Sequence, residues 1–283
     1  MIAIANSSNT NTDWVLLSLD KKVVLKTHTH SMNPTFFSNS KRYKTITQNE
    51  GIMQYASQIN SVYLHTSGVQ TPKEKKDAEA LFQEIFINAV ITISSSIVAA
   101  AFAVSNRKKS VTCMIDSGSN TCFYDGKTEV VTKIPSLGYL LMDDASGSYF
   151  GKHLLRDYFY KKMPKKLHDM FQKQFNLFPD DVYHNLYDQK DTYNYLASFA
   201  PFVITHKNEP YCADMINKGL SNFIENQITQ HDNVYDLPIH FVGEIPCKLE
   251  DEIRFALKSF RLNAGEFISN PIKGLVAYYQ TKI

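Results

Sequence analysis

The sequence predicts a two-domain α/β protein, and three observations carry that prediction. A β-β-β-α-β-α order of strand and helix signals opens the chain and starts again after residue 108. Two hairpins rich in Ser, Thr and Asn, Asn6 to Trp14 (NSSNTNTDW) and Asp116 to Gly126 (DSGSNTCFYDG), stand about a hundred residues apart, each between apolar strand-like runs. With 283 residues, 43% of them apolar, the chain has enough material for two cores.

The elements follow in order. Met1 to Ala5, Trp14 to Leu19 and Lys22 to Thr27 read as strands, followed by an irregular polar stretch from His28 to Asn39 and a helical one around Gln48 to Ile59. Strand Ser61 to His65 leads into a helix with a complete start signal: Thr71 as N-cap, Pro72 in the first helical position and Glu74 closing a capping box. Ala78, Leu81, Phe82 and Ile85 form its apolar face. Strand Ala89 to Ile93 and the alanine-rich helix Ile97 to Val104 complete the first half. After the charged break at Asn106, Arg107, Lys108 and Lys109, the strands Val111 to Ile115, Thr121 to Tyr124 and Glu129 to Ile134 restart the pattern. Helices are expected at Ser148 to Lys162, Pro164 to Phe175, Pro210 to Ile228 and Lys248 to Phe260, with a strand at Pro238 to Val242 and a final strand and helix within Glu266 to Gln280. Domains of 1–108 and 109–283 result.

Composition narrows the functional classes. A net charge of +2 from 30 basic and 28 acidic residues leaves no nucleic-acid footprint. Cys113, Cys122, Cys212 and Cys247 are widely spaced with no CxxC pair, which fits a reducing cytoplasm. The uncharged stretch Ile85 to Val104 is long enough for a membrane span. Asn88, Thr92 and Ser94 to Ser96 inside it favour a buried strand and a buried helix instead, so no membrane partner is expected. His28 and His30 point the same way at a strand end but lack a third ligand nearby, so no metal site is expected.

A small-residue hairpin can aim backbone N–H groups at an anion. The first hairpin is similar to D-S-G-S-T-K-T-D-W and the second to G-T-G-S-N, the two phosphate loops of the sugar kinase, Hsp70 and actin superfamily. Pro135 to Gly151 (PSLGYLLMDDASGSYFG) resembles P-S-L-G-x-x-x-G-D-E-G-S-G-x-x-x-G. Asn194 to Phe202 (NYLASFAPF), His240 to Gly243 (HFVG) and Asn270 to Tyr278 (NPIKGLVAY) match further segments. In sequence the chain thus resembles, over nearly its whole length, N-acetylglucosamine kinases of the BadF/BadG/BcrA/BcrD ATPase family. The resemblance implies a ribonuclease H-like fold in each domain, a ligand cleft between the domains, and a last helix returning to the first domain. Mg·ATP would be the cosubstrate of an active enzyme; an inactive one would need no cofactor. A small amino sugar is the implied partner, and a homodimer is compatible with it.

The resemblance also assigns residues. Asn6, Ser8, Asn9, Thr10, Asn11 and Thr12 fall on the first phosphate loop, Asp116, Ser117, Gly118 and Ser119 on the second, with Gly243 also on the nucleotide side. Asn6 replaces the aspartate that holds the metal, Ser8 a glycine, Asn11 a lysine and Asp116 a glycine. A side chain at Ser8 fills space a phosphate oxygen needs. A carboxylate about 4 Å from a phosphate charge costs on the order of several kcal/mol at an effective dielectric near 20. Asp116 also reads simply as a solvated turn residue capping its own backbone.

The catalytic aspartate's position falls on Ser96, which cannot serve as a base at neutral pH; capping of the following helix by Ser95 or Ser96 is its alternative role. Asp143 or Asp144 could substitute as base. The sugar-side positions, Asn33, Asn120, Asp143 and Gly147, keep the family residue types; Asn33 and Asn120 also read as turn residues and Asp143 as an anion at a helix start. Two readings stand: a degenerate kinase that still binds an amino sugar, and an active ATP-dependent amino-sugar kinase.

Overall fold

The computed structural model describes residues 1–69, 71–189 and 191–282. The chain divides into two compact units, Met1–Asn106 with Pro271–Ile283, and Arg107–Asn270.

The first unit is built on a five-stranded sheet. Its strands are β1 (Ile2–Ser7), β2 (Asn11–Leu17), β3 (Val23–His30), β4 (Ser61–Thr66) and β5 (Val90–Ser94), in spatial order β3-β2-β1-β4-β5. β1, β2 and β3 are antiparallel neighbours, while β4 runs parallel to both β1 and β5. Alternation along the strands gives the sheet two apolar faces. Ala3, Ala5, Trp14, Leu16, Val62 and Leu64 meet Phe82 and Phe86 on one side. The chain's single tryptophan stacks on Phe82 with ring centroids 6.1 Å apart and donates its indole N–H to Thr29 Oγ1 at 3.0 Å. Ile4, Val15 and Leu17 meet Ala99, Leu275, Tyr278 and Tyr279 on the other side.

Helix Pro72–Ile85 has the capping box its sequence announces. The Thr71 Oγ1 accepts the Glu74 N–H at 3.2 Å, and the Glu74 carboxylate accepts the Thr71 N–H at 2.8 Å. Two expectations change. Asn39–Thr47, on the edge of the stretch read as irregular, is a helix begun by the Ser38 hydroxyl, which accepts the Lys41 N–H. The helix read over Gln48 to Ile59 is reduced to the short turns Glu50–Met53 and Ala56–Gln58.

The second unit repeats the order with β6 (Ser110–Ile115), β7 (Ser119–Tyr124), β8 (Val130–Val131), β9 (Pro238–Val242) and β10 (Asn263–Ile268). The sheet runs β10-β9-β6-β7-β8, so an antiparallel trio again meets parallel strands at the trio's first member. Helices Gly147–Phe159, Lys165–Phe175, Pro210–Phe223 and Glu250–Ser259 enclose its core around Phe150, Phe171, Phe202, Phe223 and Phe241. Two expected helices are shorter in α-form. The run to Ile228 ends its α-helix at Phe223 and finishes as a π-helical turn, and Glu244–Lys248 is a separate short helix before Glu250.

The last helix, Ile272–Gln280, belongs to the first unit and packs on helix Ser96–Val104. Gly274 makes the approach: a Cβ there would lie 2.2 Å from the Ala103 carbonyl oxygen. Gly274→Ala should therefore lower stability by roughly 1–3 kcal/mol, despite alanine's better helix propensity, as read from the urea midpoint at constant slope. A gain in stability would contradict this packing.

Candidate functional site

Each unit carries one of the two polar hairpins. In the first, strand pairing continues through residues the sequence placed in a loop. Asn6 pairs with Asp13 and Ser7 with Thr12, so only Ser8, Asn9 and Thr10 form the turn. The polar strand residues are tolerated because they satisfy one another. Thr12 Oγ1 donates to Ser7 Oγ at 2.9 Å, and Ser7 Oγ accepts the Met32 N–H at 2.8 Å, all of it buried.

The turn closes on itself. Ser8 N–H donates to the Asn11 carbonyl at 2.8 Å. Ser8 Oγ accepts the N–H groups of Thr10 and Asn11, each at 3.2 Å, and lies 2.7 Å from Asn11 Oδ1. The serine hydroxyl thus occupies the position of an anion oxygen in its own hairpin. Asn9 Oδ1 accepts from Asn33 Nδ2 at 2.9 Å, and Asn33 Oδ1 accepts the Thr35 N–H at 2.9 Å. Asn33 is therefore buried and tied to the hairpin, beside Gly68, whose φ of +79° and missing Cβ (2.1 Å from Asn33 Oδ1) leave room for it.

Ser96 opens helix Ser96–Val104, with its hydroxyl 3.0 Å from Ser67 Oγ. Ser95 is the N-cap residue but makes no side-chain capping bond, so the expected capping is not made by Ser95. Beside it lies a hydrogen-bonded chain that nothing in the local sequence pattern marks. The Ser94 hydroxyl is 2.7 Å from His65 Nδ1, and His65 Nε2 is 3.0 Å from the Tyr279 hydroxyl. Burial pushes His65 down to about 3, so the ring is neutral at pH 7.

Asn6 and Asp13 stand opposite each other in the ladder and share a face, which offers one carboxylate and one neutral amide. His28 and His30 lie on β3, and no group of three or more His, Cys, Asp or Glu converges among the described residues. The first hairpin therefore fits a magnesium ion poorly, since hard cations favour charged oxygen ligands.

In the second unit the turn Asp116 to Gly118 is closed by Asp116 N–H to the Gly118 carbonyl at 2.8 Å. The helix Gly147–Phe159 fastens it: Gly147 N–H donates to the Asp116 carbonyl at 2.8 Å and Ser148 N–H to the Ser117 carbonyl at 3.0 Å. Gly147 thus holds the loop with its N–H. Asp143 Oδ1 accepts the Ser119 N–H at 3.3 Å. Asp143 is buried, has a φ of +68°, and burial pushes its carboxyl up to about 6, with Asp144 adding to the rise. Asp116 keeps an exposed surface while protein crowds its carboxyl. That partial desolvation, with Glu244 nearby, moves it upward, against Lys248 and the Ser117 N–H.

Asn120 sits on β7 and its Oδ1 accepts the Thr121 N–H at 2.8 Å. Gly243, with φ of +132°, follows β9; a Cβ there would lie 2.1 Å from the Ile115 carbonyl at the end of β6. Sequence reasoning missed Tyr193, whose hydroxyl stands over Gly118: a Cβ on Gly118 would lie 1.9 Å from it and 2.7 Å from Asp143 Oδ2.

No family model and no curated protein sequence matches the chain. Solved structures do. A candidate N-acetylglucosamine kinase from Porphyromonas gingivalis is 25% identical over 99% of both chains, with a TM-score of 0.90. The chain is N-acetylglucosamine kinase-like. A second candidate N-acetylglucosamine kinase, from Chromobacterium violaceum, is 14% identical over 98% of both chains with a TM-score of 0.77. A glucokinase of the ROK family from Streptomyces griseus, solved with glucose and AMPPNP, is 10% identical over 97% of this chain and 96% of that one, with a TM-score of 0.56. At those lower identities the likeness is one of fold, the two-domain sugar kinase fold.

The buried Asp143 gives a pH signature. The folded carboxyl holds its proton to about pH 6 while an unfolded one releases it near its ordinary 3.8. The folded chain then binds more protons between those values, and stability falls as pH rises from about 4 to about 6, by up to about 3 kcal/mol. Asp143→Asn keeps an oxygen for the Ser119 N–H and should abolish that part of the profile, measured as the difference in urea stability between the two proteins at pH 4 and pH 7. Parallel profiles would contradict the burial argument.

Proposed function

We propose that this chain binds an amino sugar on a kinase fold and transfers phosphate very slowly or not at all. One observation carries the reading: the N–H groups of Thr10 and Asn11, which a phosphate in the first loop would need, are taken by Ser8 Oγ. The second loop adds the Asp116 carboxyl where the family resemblance has glycine. Ser96 presents a hydroxyl bonded to Ser67 where a general base is required, and absence of such a base costs about 10²- to 10⁴-fold in rate. Of the sugar-side positions, Asn120 and Asp143 keep an amide and a carboxylate suited to hydroxyls, while Asn33 is buried and bonded to Asn9 and Thr35. We place the chain in the BadF/BadG/BcrA/BcrD family as a pseudokinase. Among the described residues no helix is long and apolar enough to cross a membrane, and the four cysteines, none of them in a disulfide among those residues and three of them buried, support a reducing cytoplasm.

The rival reading is an active Mg·ATP-dependent amino-sugar kinase. The full-length likeness to a candidate N-acetylglucosamine kinase favours it. Calorimetric titration separates the two: N-acetylglucosamine should bind, and Mg·ATP should bind more weakly than about 100 μM or not at all. Mg·ATP binding tighter than that would contradict the pseudokinase. Combining Ser8→Gly, Asn6→Asp, Asp116→Gly and Ser96→Asp should raise phosphotransfer at least about 100-fold in a coupled assay; no gain would mean that these positions do not hold the roles given to them.

A further inference from the structure

Tyr193 lies outside the positions that the resemblance assigns, and the packing around it shows how firmly it is placed. Its helix, Thr192–Ala197, is seated on helix Gly147–Phe159 by two glycines. A Cβ on Gly151 would lie 1.8 Å from the Leu196 carbonyl, and one on Gly147 would lie 3.0 Å from the Ala197 Cβ. A third glycine, Gly118 of the second hairpin, leaves the space that the Tyr193 hydroxyl enters. The next residue, Asn194, accepts the Ser117 hydroxyl at 3.2 Å and donates to Asp191 at 2.8 Å, which fixes the same edge of the hairpin. The Tyr193 ring packs on Tyr139, centroids 5.7 Å apart.

Two polar atoms at this place have no hydrogen-bond partner among the described residues: the Tyr193 hydroxyl and Asp143 Oδ2. Both lie within 2.7 Å of one point, the missing Cβ of Gly118. A phenol hydroxyl can donate and accept, and a carboxylate oxygen accepts, so together they match the hydroxyl of a polyol. They do not match a phosphate, which brings further negative oxygens against the carboxylate.

We propose that Tyr193 is a specificity-determining residue of the second hairpin, whose hydroxyl, with Asp143 Oδ2, takes one hydroxyl of a sugar and bars phosphate from Gly118. This rests on the reading that the second hairpin is a ligand loop. Tyr193→Phe removes only the hydroxyl, and Tyr193→Ala also opens the space over Gly118.

The experiment is calorimetric titration of the unmodified chain and both variants, their folding checked by melting curves, with N-acetylglucosamine and separately with inorganic tripolyphosphate. Tyr193→Phe should weaken sugar binding about fivefold to tenfold, the equivalent of one neutral hydrogen bond. Tyr193→Ala should tighten tripolyphosphate binding at least about tenfold, and Tyr193→Phe should move it the same way with smaller amplitude, so a poorly folding alanine variant leaves the phosphate arm readable. Sugar and tripolyphosphate affinities both unchanged in Tyr193→Phe would overturn the inference, and so would unchanged tripolyphosphate binding in a folded Tyr193→Ala. An unmodified chain that ignores N-acetylglucosamine while Tyr193→Ala gains tripolyphosphate would sustain the barring of phosphate by Tyr193 and overturn both its contact with that sugar and the amino-sugar reading.

Discussion

A backbone N–H has one proton to give, and at the two hairpins of this chain three of the protons that could cradle an anion are given to the chain's own oxygens. Ser8 Oγ takes those of Thr10 and Asn11, and Asp143 takes that of Ser119. An external anion must displace these acceptors before it gains anything, and in the second hairpin it must do so next to carboxyl groups that burial and crowding have already left short of compensation. The fold supplies the hairpins; their side chains decide what the hairpins can hold.

The surrounding structure keeps them in that state. In the first unit, Ser7 and Thr12 continue the β1–β2 ladder up to the turn, and Asn33 ties the neighbouring segment to Asn9. In the second, Gly147 and Ser148 at the head of a helix fasten the carbonyls of Asp116 and Ser117. The same helix, through Gly147 and Gly151, seats the segment carrying Tyr193 and Asn194. A rigid scaffold behind a polar turn is what a preorganised binding loop requires. On the proposed reading, that preorganisation serves neutral and hydroxyl-bearing ligands better than phosphate.

Much of this was legible in the sequence. The repeated strand and helix order follows from apolar periodicity, and the two sheets repeat one strand order in consequence. The capping box at Thr71 and Glu74 needed only local chemistry. The hairpin limits were misread because Asn6, Ser7, Asn11 and Thr12 have the composition of a loop. Their pairing depends on buried partners, Met32 and Ser31, that lie some twenty residues away. Tyr193 and the His65–Ser94–Tyr279 chain were invisible for the same reason: their meaning lies in contacts across long sequence separations, and nothing in the local spacing marks them. The residue types at Ser8, Ser96 and Asp116 did signal a changed site, but not that Ser8 turns inward to fill the turn.

The most direct measurement is an amide chemical-shift titration of the ¹⁵N-labelled chain with inorganic tripolyphosphate, following Thr10, Asn11 and Ser119. If the chain's own oxygens hold those protons, the three amides stay in place at ligand concentrations up to about 1 mM, where a free-energy gain near 4 kcal/mol would already half-saturate a site. Large, saturating shifts of the same three amides below about 0.1 mM would contradict the account, because they would show hairpins open to phosphate.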